Sequence, residues 1–306
     1  MKRVVVLLPL ISGSMWGASG VFIRTMSSFG MDNSTILFSR AAIASVLIFA
    51  AVMFYNPGLL KIRIKDFGLF LACGLLGMLG MSLCYNEAVN RLPLSLAAVL
   101  LALTPAFVII MAAVIFKEKI TVKKTVCMIL ALLGCILASG LLEGLDTANI
   151  SGIGLVMGLA SAVFYALYSI FSKLAADRGY STYTIIFYSL LCIAVVLLPF
   201  SDKGVIVDFV KAKPAFHLMI MVGQALCTSM LPYILYTVAL MYTEAGMVSI
   251  LASGAEPVAA VCFGVIFYGE IPTLPTILGM AVTIAALAAL CMRGKQTEEE
   301  KRGNLA

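Results

Sequence analysis

Apolar runs of about 20 residues recur along the whole chain, interrupted by short stretches that hold the charges and turn residues. A helix needs about 20 such residues to cross a bilayer core of about 30 Å. The interruptions divide the chain into ten segments: 4–24, 33–55, 66–89, 93–116, 122–142, 149–173, 182–200, 214–241, 246–268 and 273–292. The pattern predicts an all-α membrane protein of ten transmembrane helices, with sequence neighbours antiparallel. The eighth segment is long and contains Pro232, which predicts a kink or a broken helix there.

Composition removes the soluble alternative. Hydrophobic residues make up 62% of 306 positions and charged residues 12%, against about half and a quarter in a soluble domain. So few charges cannot clothe a core of this size, and lipid must be the solvent for most of the surface. The eight cysteines (Cys73, Cys84, Cys127, Cys135, Cys192, Cys227, Cys262, Cys291) stand singly in apolar stretches, with no CxxC, and read as packing residues. Met1-Lys2-Arg3 before an apolar run resembles a signal peptide. The run's length and the many spans after it favour an uncleaved first helix.

Charge placement supplies direction. With the N-terminus inside, 15 basic residues fall on the cytoplasmic side: Lys2, Arg3, Lys61, Arg63, Lys65, Lys117, Lys119, Lys123, Lys124, Lys173, Arg178, Arg293, Lys295, Lys301 and Arg302. Five fall opposite, at Arg24, Arg91, Lys203, Lys211 and Lys213, and Arg40 lies within a span. The positive-inside rule then gives cytoplasmic N- and C-termini, in what we read as a bacterial inner membrane. Residues 293–306, with Glu298-Glu299-Glu300, read as a disordered cytoplasmic tail. The net charge of +6 is a topology signal, so nucleic acid is not expected as a partner. The expected partners are the lipid bilayer and a small-molecule substrate, with monomer and homodimer both open and no cofactor motif in view.

The chain also repeats itself. Residues 98–120 and 250–272 align through Pro105 and Pro257, each followed 13 residues later by a glutamate, Glu118 and Glu270. Thr35-Ile36-Leu37-Phe38 matches Thr184-Ile185-Ile186-Phe187, and Tyr85 with Ala88 matches Tyr236 with Ala239. The offset stays near 149 to 152 residues throughout. The expected organisation is therefore two five-helix repeats, 1–145 and 146–292. An odd number of spans inverts the second repeat relative to the first, an architecture of secondary transporters with a solute site between the halves.

The same residues carry a family resemblance. Trp16-Gly17-Ala18-Ser19, Phe38-Ser39-Arg40-Ala41, Leu96-Ala97-Ala98 with Thr104-Pro105, and Lys117-Glu118-Lys119-Ile120 occur in order in the first half. Tyr165-Ala166, Glu256-Pro257-Val258 and Gly269-Glu270-Ile271 follow in the second. Together they resemble the EamA family of the drug/metabolite transporter superfamily, from about residue 5 to 292. The resemblance implies a ten-helix carrier of small organic metabolites, whose cargo does not transfer between members. Lys173 stands where the first half has Arg24, but Ser189 replaces Arg40, so the halves are not equivalent.

Ionisable groups inside a span cost about 2.5–3.5 kcal/mol on insertion scales, so each needs a reason to be there. Arg40, about 10 Å into its helix, could pair with a substrate carboxylate, or could brace neighbouring helices. Glu256, about 15 Å into its helix, suits a proton-coupling site, or a hydrogen bond that locks packing. Trp16, Tyr85, Tyr165, Tyr168 and Tyr236 fall within spans and could line a substrate cavity, or simply pack. Pro105, Pro232 and Pro257 are expected hinge points. Asn86, Glu87 and Arg91 read as a helix-end group, Glu118 and Glu270 as helix-end anchors or gate contacts, His217 as interfacial, and Gln224 as bonded to a neighbouring helix. Gly13 with Gly17 and Gly154 with Gly158 predict close helix contacts.

The function expected is a secondary transporter of a small organic metabolite, amino-acid-like or another small solute, working by alternating access with export favoured. An uptake carrier for a small organic cation or nutrient, facilitative or proton-coupled, is the alternative, and a membrane sensor or scaffold a second. An enzyme is not expected: no HExxH, GxSxG or Walker A pattern is present, and the chain has one histidine. No catalytic or metal-ligating set is therefore assigned.

Overall fold

Side-chain oxygens set where several helices begin. In a computed structural model, residues 2–92, 94–139, 151–269 and 271–291 are described, and among them no strand occurs. Asp32 accepts from the Ser34 and Thr35 amides and starts α3 (Asn33–Tyr55). Thr121, Ser151 and Ser181 do the same for α8 (Val122–Ala138), α9 (Gly152–Asp177) and α10 (Thr182–Leu197). Ahead of α3 lie α1 (Lys2–Gly17) and α2 (Ser19–Ser27), which share one span broken at Ala18.

Two spans share an unusual build. α4 (Phe67–Leu71) and α5 (Met81–Arg91) are joined by a π-helical stretch, Ala72–Gly80. α12 (Pro214–Gln224) and α13 (Leu231–Tyr242) are joined by another, Ala225–Met230, immediately before Pro232. Between these two spans run α6 (Leu94–Leu101) and α7 (Thr104–Ile115); after them come α14 (Ala245–Tyr268) and α15 (Leu274–Cys291). α11 (Lys203–Ala212) is a short extra helix preceding α12, capped by Asp202. The corresponding connection in the first half holds only 3-10 turns at 57–60 and 64–66.

Among the described residues, nine stretches are long and apolar enough to cross a membrane. At the place of the fifth expected span stands α8, whose 17 described residues rise about 25 Å. Glu270, residues 293–306 and the expected repeat boundary at 145/146 lie outside the described residues.

Helix packing displays the duplication. α1 packs on α13 and α14, and its counterpart α9 packs on α5 and α7. α3 packs on its own counterpart α10, and α8 on its counterpart α15. Exchanging the halves therefore maps this set of contacts onto itself. Lys117 (φ 56°) and Gly269 (φ 65°) both turn left-handed just after their helices, 152 positions apart. The two halves repeat one helical plan.

Outward faces are apolar: Phe54 is 94% exposed and Ile266 70%, which fits lipid contact. Inside, small residues set the closest approach. A Cβ on Gly13 would lie 2.1 Å from the Ala252 carbonyl oxygen, and one on Gly17 2.6 Å from that of Glu256. These glycines seat α1 directly on the backbone of α14.

Gly13→Ala should therefore lower stability by about 1–3 kcal/mol, the usual cost of overpacking. Gly20→Ala, where a Cβ meets open space, should leave the melting temperature unchanged. Thermal melts of both purified variants in one detergent check this.

Candidate functional site

Prolines create the site's first requirement. Pro232 has no N–H, so the carbonyl of Thr228, four residues back, loses its helical partner. The Trp16 indole N–H donates to that oxygen at 3.2 Å, and the Ser12 hydroxyl donates to the Pro232 carbonyl at 2.8 Å. Pro105 makes the same demand on Leu101, whose carbonyl accepts from the Thr104 hydroxyl at 2.6 Å. The break between α6 and α7 falls just before that proline. α14, by contrast, runs unbroken through Pro257.

Held this way, Trp16 becomes the centre of an aromatic cluster. It meets Tyr165 and Tyr233 edge-on, at 5.7 and 5.0 Å between ring centroids, and lies tilted against Tyr236 at 5.5 Å. Above the cluster opens a cavity of about 150 Å³, lined by both halves. Asn33, Ile36, Leu37 and Arg40 come from α3, Ser82, Tyr85 and Asn86 from α5, and Leu101 from α6. Tyr165 of α9, Thr228 of the second π-helical stretch, Tyr233 of α13 and Glu256 of α14 complete the far wall. Asn33 is exposed in the first turn of α3, which places the mouth at that end.

Of the residues singled out in the sequence, Trp16, Arg40, Tyr85, Tyr165 and Glu256 meet in this cavity, and Asn86, read there as part of a helix-end group, joins them. Tyr168 and Tyr236 do not line it. They are fully buried beneath it, where Tyr168 Oη shares a 2.9 Å hydrogen bond with Thr237 Oγ1 and Tyr236 Oη a 2.7 Å bond with Ser169 Oγ. Tyr233, Ser82, Thr228 and Asn33 join the lining without having been singled out. A tyrosine beside the kink proline was the one available signal for Tyr233.

A second closure lies deeper. Glu118, past the end of α7, accepts from Lys173 Nζ at 2.9 Å and from the Ala245 amide at 2.8 Å, both through Oε1. Its Oε2 accepts from the Gly246 amide at 3.4 Å. Glu118 thus caps α14 from the connection between α7 and α8, since Glu244 at the cap position makes no such bond. Lys173 and Glu118 are 15% and 10% exposed, and Lys173 also donates to the Thr243 carbonyl at 3.4 Å. Beside them Lys124 pairs with Glu244. Along α9, Tyr165 faces the cavity, Tyr168 the buried layer and Lys173 the ion pair, all within about 12 Å of rise.

Other expectations fall elsewhere. Glu87 and Arg91 pair across one helical turn at the mouth end, both partly exposed. His217, near the start of α12, is buried because α11 folds over it: its ring stacks on Phe209 at 4.0 Å and Nδ1 meets the Phe209 carbonyl oxygen. The Gln224 amide is buried without a hydrogen-bond partner among the described residues, not bonded to a neighbouring helix.

Comparison with known proteins agrees with this architecture. The model of the EamA-like transporter family matches residues 3–140 and again 152–292. A pseudopaline exporter, CntI, of Pseudomonas aeruginosa is 25% identical over 285 residues, covering 93% of this chain and 95% of that protein. An uncharacterized transporter of Archaeoglobus fulgidus is 29% identical over 205 residues, 67% of this chain and 69% of its own length. A protein of known crystal structure has the same fold, with a TM-score of 0.72 at 15% identity over 93% of this chain and 95% of that one. Two family matches in tandem, over two inverted helical repeats, place the chain: it belongs to the EamA-like transporter family.

Proposed function

We propose that the protein is a secondary transporter that exports a small, amino-acid-like metabolite across a bacterial inner membrane by alternating access. One observation carries the reading. The cavity between the halves has its mouth at the Asn33 end, while the opposite end is shut by the buried tyrosine layer and by the Glu118–Lys173 pair. That is the arrangement of a carrier in one of its two end states. The Glu118–Lys173 pair joins the halves, whereas the tyrosine bonds run between α9 and α13 of the second half, so rocking one half against the other would part that pair and open this end. The basic residues concentrate at the shut end, which supports cytoplasmic termini and an outward-facing conformer. Export is supported by the exporter among the relatives.

In proteoliposomes loaded with a metabolite mixture, Arg40→Ala and Glu256→Gln should each lower saturable flux tenfold or more. Wild-type flux in both variants would remove this cavity from the transport path. Lys173→Ala strands the Glu118 carboxylate and should destabilise this conformer by about 3 kcal/mol. The double variant Glu118→Ala/Lys173→Ala should recover part of that loss in thermal melts. Strictly additive losses would show that the two side chains do not act as a pair.

A further inference from the structure

Exchanging the two halves sorts the contacts between them into two classes. A pair made of a helix and its own counterpart maps onto itself, as α3 with α10, α7 with α14 and α8 with α15 do. A pair of unlike helices trades places with another pair, as α1 on α14 does with α9 on α7. Where one end state is the other with its halves exchanged, contacts of the second class must change and those of the first must not. Contacts of the first class also lie on the axis that exchanges the halves.

Two of the self-mapped pairs are fastened at both ends. Thr35 and Thr184 are repeat equivalents in the first turns of α3 and α10, and each reaches the other half. At the mouth end the Thr35 hydroxyl accepts from the Asp202 amide at 2.9 Å. At the shut end the Thr184 hydroxyl donates to the Leu59 carbonyl at 2.6 Å, and Tyr188 Oη donates to the Leu60 carbonyl at 2.8 Å. Tyr180 Oη adds a bond to the Asp66 carboxylate at 2.6 Å. Between these ends Phe49 stacks on Phe187 at 5.9 Å.

α8 and α15 are joined in the same manner. Lys123 Nζ donates to the Leu290 carbonyl at one end, and the Thr276 hydroxyl donates to the Ala138 carbonyl at the other, both at 3.5 Å. Between them the backbones touch: a Cβ on Gly279 would lie 2.5 Å from the Gly134 carbonyl oxygen. The exchanged contact of α9 with the α7 side is different. Its polar link among the described residues is the Glu118–Lys173 pair, at the shut end. A contact fastened at one end can swing open there once that link breaks, whereas one fastened at both ends cannot part.

We propose that α3–α10 and α8–α15 are standing seams, closed in both end states, and that the halves pivot about the line through them. This rests on the transport reading and names the part of the interface that does not move. Thr35 and Thr184 become positioning residues of the pivot.

Cysteine pairs in the full chain test this, because a disulfide tolerates little change in separation. Thr35→Cys with Asp202→Cys and Leu59→Cys with Thr184→Cys lock the first seam at both ends, and Ala138→Cys with Thr276→Cys locks the second. Glu118→Cys with Lys173→Cys is bridged by a short, reducible bifunctional thiol reagent. Wild type, with its eight cysteines, receives the same treatments as the control. In proteoliposomes loaded with the metabolite mixture, each seam-locked chain should keep saturable flux within twofold of its reduced form. The bridged Glu118/Lys173 variant should lose flux tenfold or more and regain it on reduction. A tenfold loss on locking either seam, reversed by reduction, would overturn the pivot and leave the transport reading standing. So would undiminished flux in the bridged variant. If a first-seam pair prevents folding, Phe49→Cys with Phe187→Cys, bridged by the same reagent, takes its place. Absence of flux for every solute in untreated wild type would overturn the transport reading, and the pivot with it.

Discussion

A backbone carbonyl freed inside a bilayer has no water to turn to, and the architecture of this protein follows from how one such oxygen is satisfied. Pro232 frees the Thr228 carbonyl, and the Trp16 indole fills it from the other half of the molecule. That bond fixes the tryptophan at the centre of the aromatic cluster, with Tyr165, Tyr233 and Tyr236 arranged around its ring. Gly17, the next residue, brings α1 onto the backbone at Glu256. A single local requirement of α13 thus positions the cavity floor and draws a charged wall residue to it.

Glu118 works in a comparable way at the shut end. One carboxylate serves as the missing cap of α14 and as the counter-ion of Lys173 on α9. Because α14 also carries Glu256, about 16 Å further along a continuous helix, the closure and the cavity share one rigid element. A displacement of that helix at the closure would therefore carry through to the cavity wall.

Much of this was legible in the sequence. The spans show as apolar runs, and the repeat shows in Pro105 with Glu118 against Pro257 with Glu270. Arg40 and Glu256 stand out because charge is rare in such runs. The facing of the tyrosines was not legible. A π-helical turn takes up more residues than an α turn, so it re-aims every side chain that follows. The stretches Ala72–Gly80 and Ala225–Met230 precede Ser82, Tyr85, Tyr233 and Tyr236. No composition cue marks such stretches, so Tyr233 and Tyr236 could not be told apart as cavity and core. α11 was hidden for another reason: at 10 residues it is too short to read as a span, and its apolar face shows only once Phe209 packs against Met26, Met31, Ile36 and Met221.

α11 also bears on the balance between the two end states. Two identical inverted halves would give two conformers exchanged by a two-fold rotation and equal in energy, and nothing would favour either. This helix exists in one half alone, and it buries Phe209 and His217 against α2, α3 and α12 near the cavity mouth. The degeneracy is broken by a contact set that has no counterpart among the other described residues. On the transport reading proposed above, an appendage outside the repeat would set which end state is favoured, and its ten residues could be edited without touching the cavity.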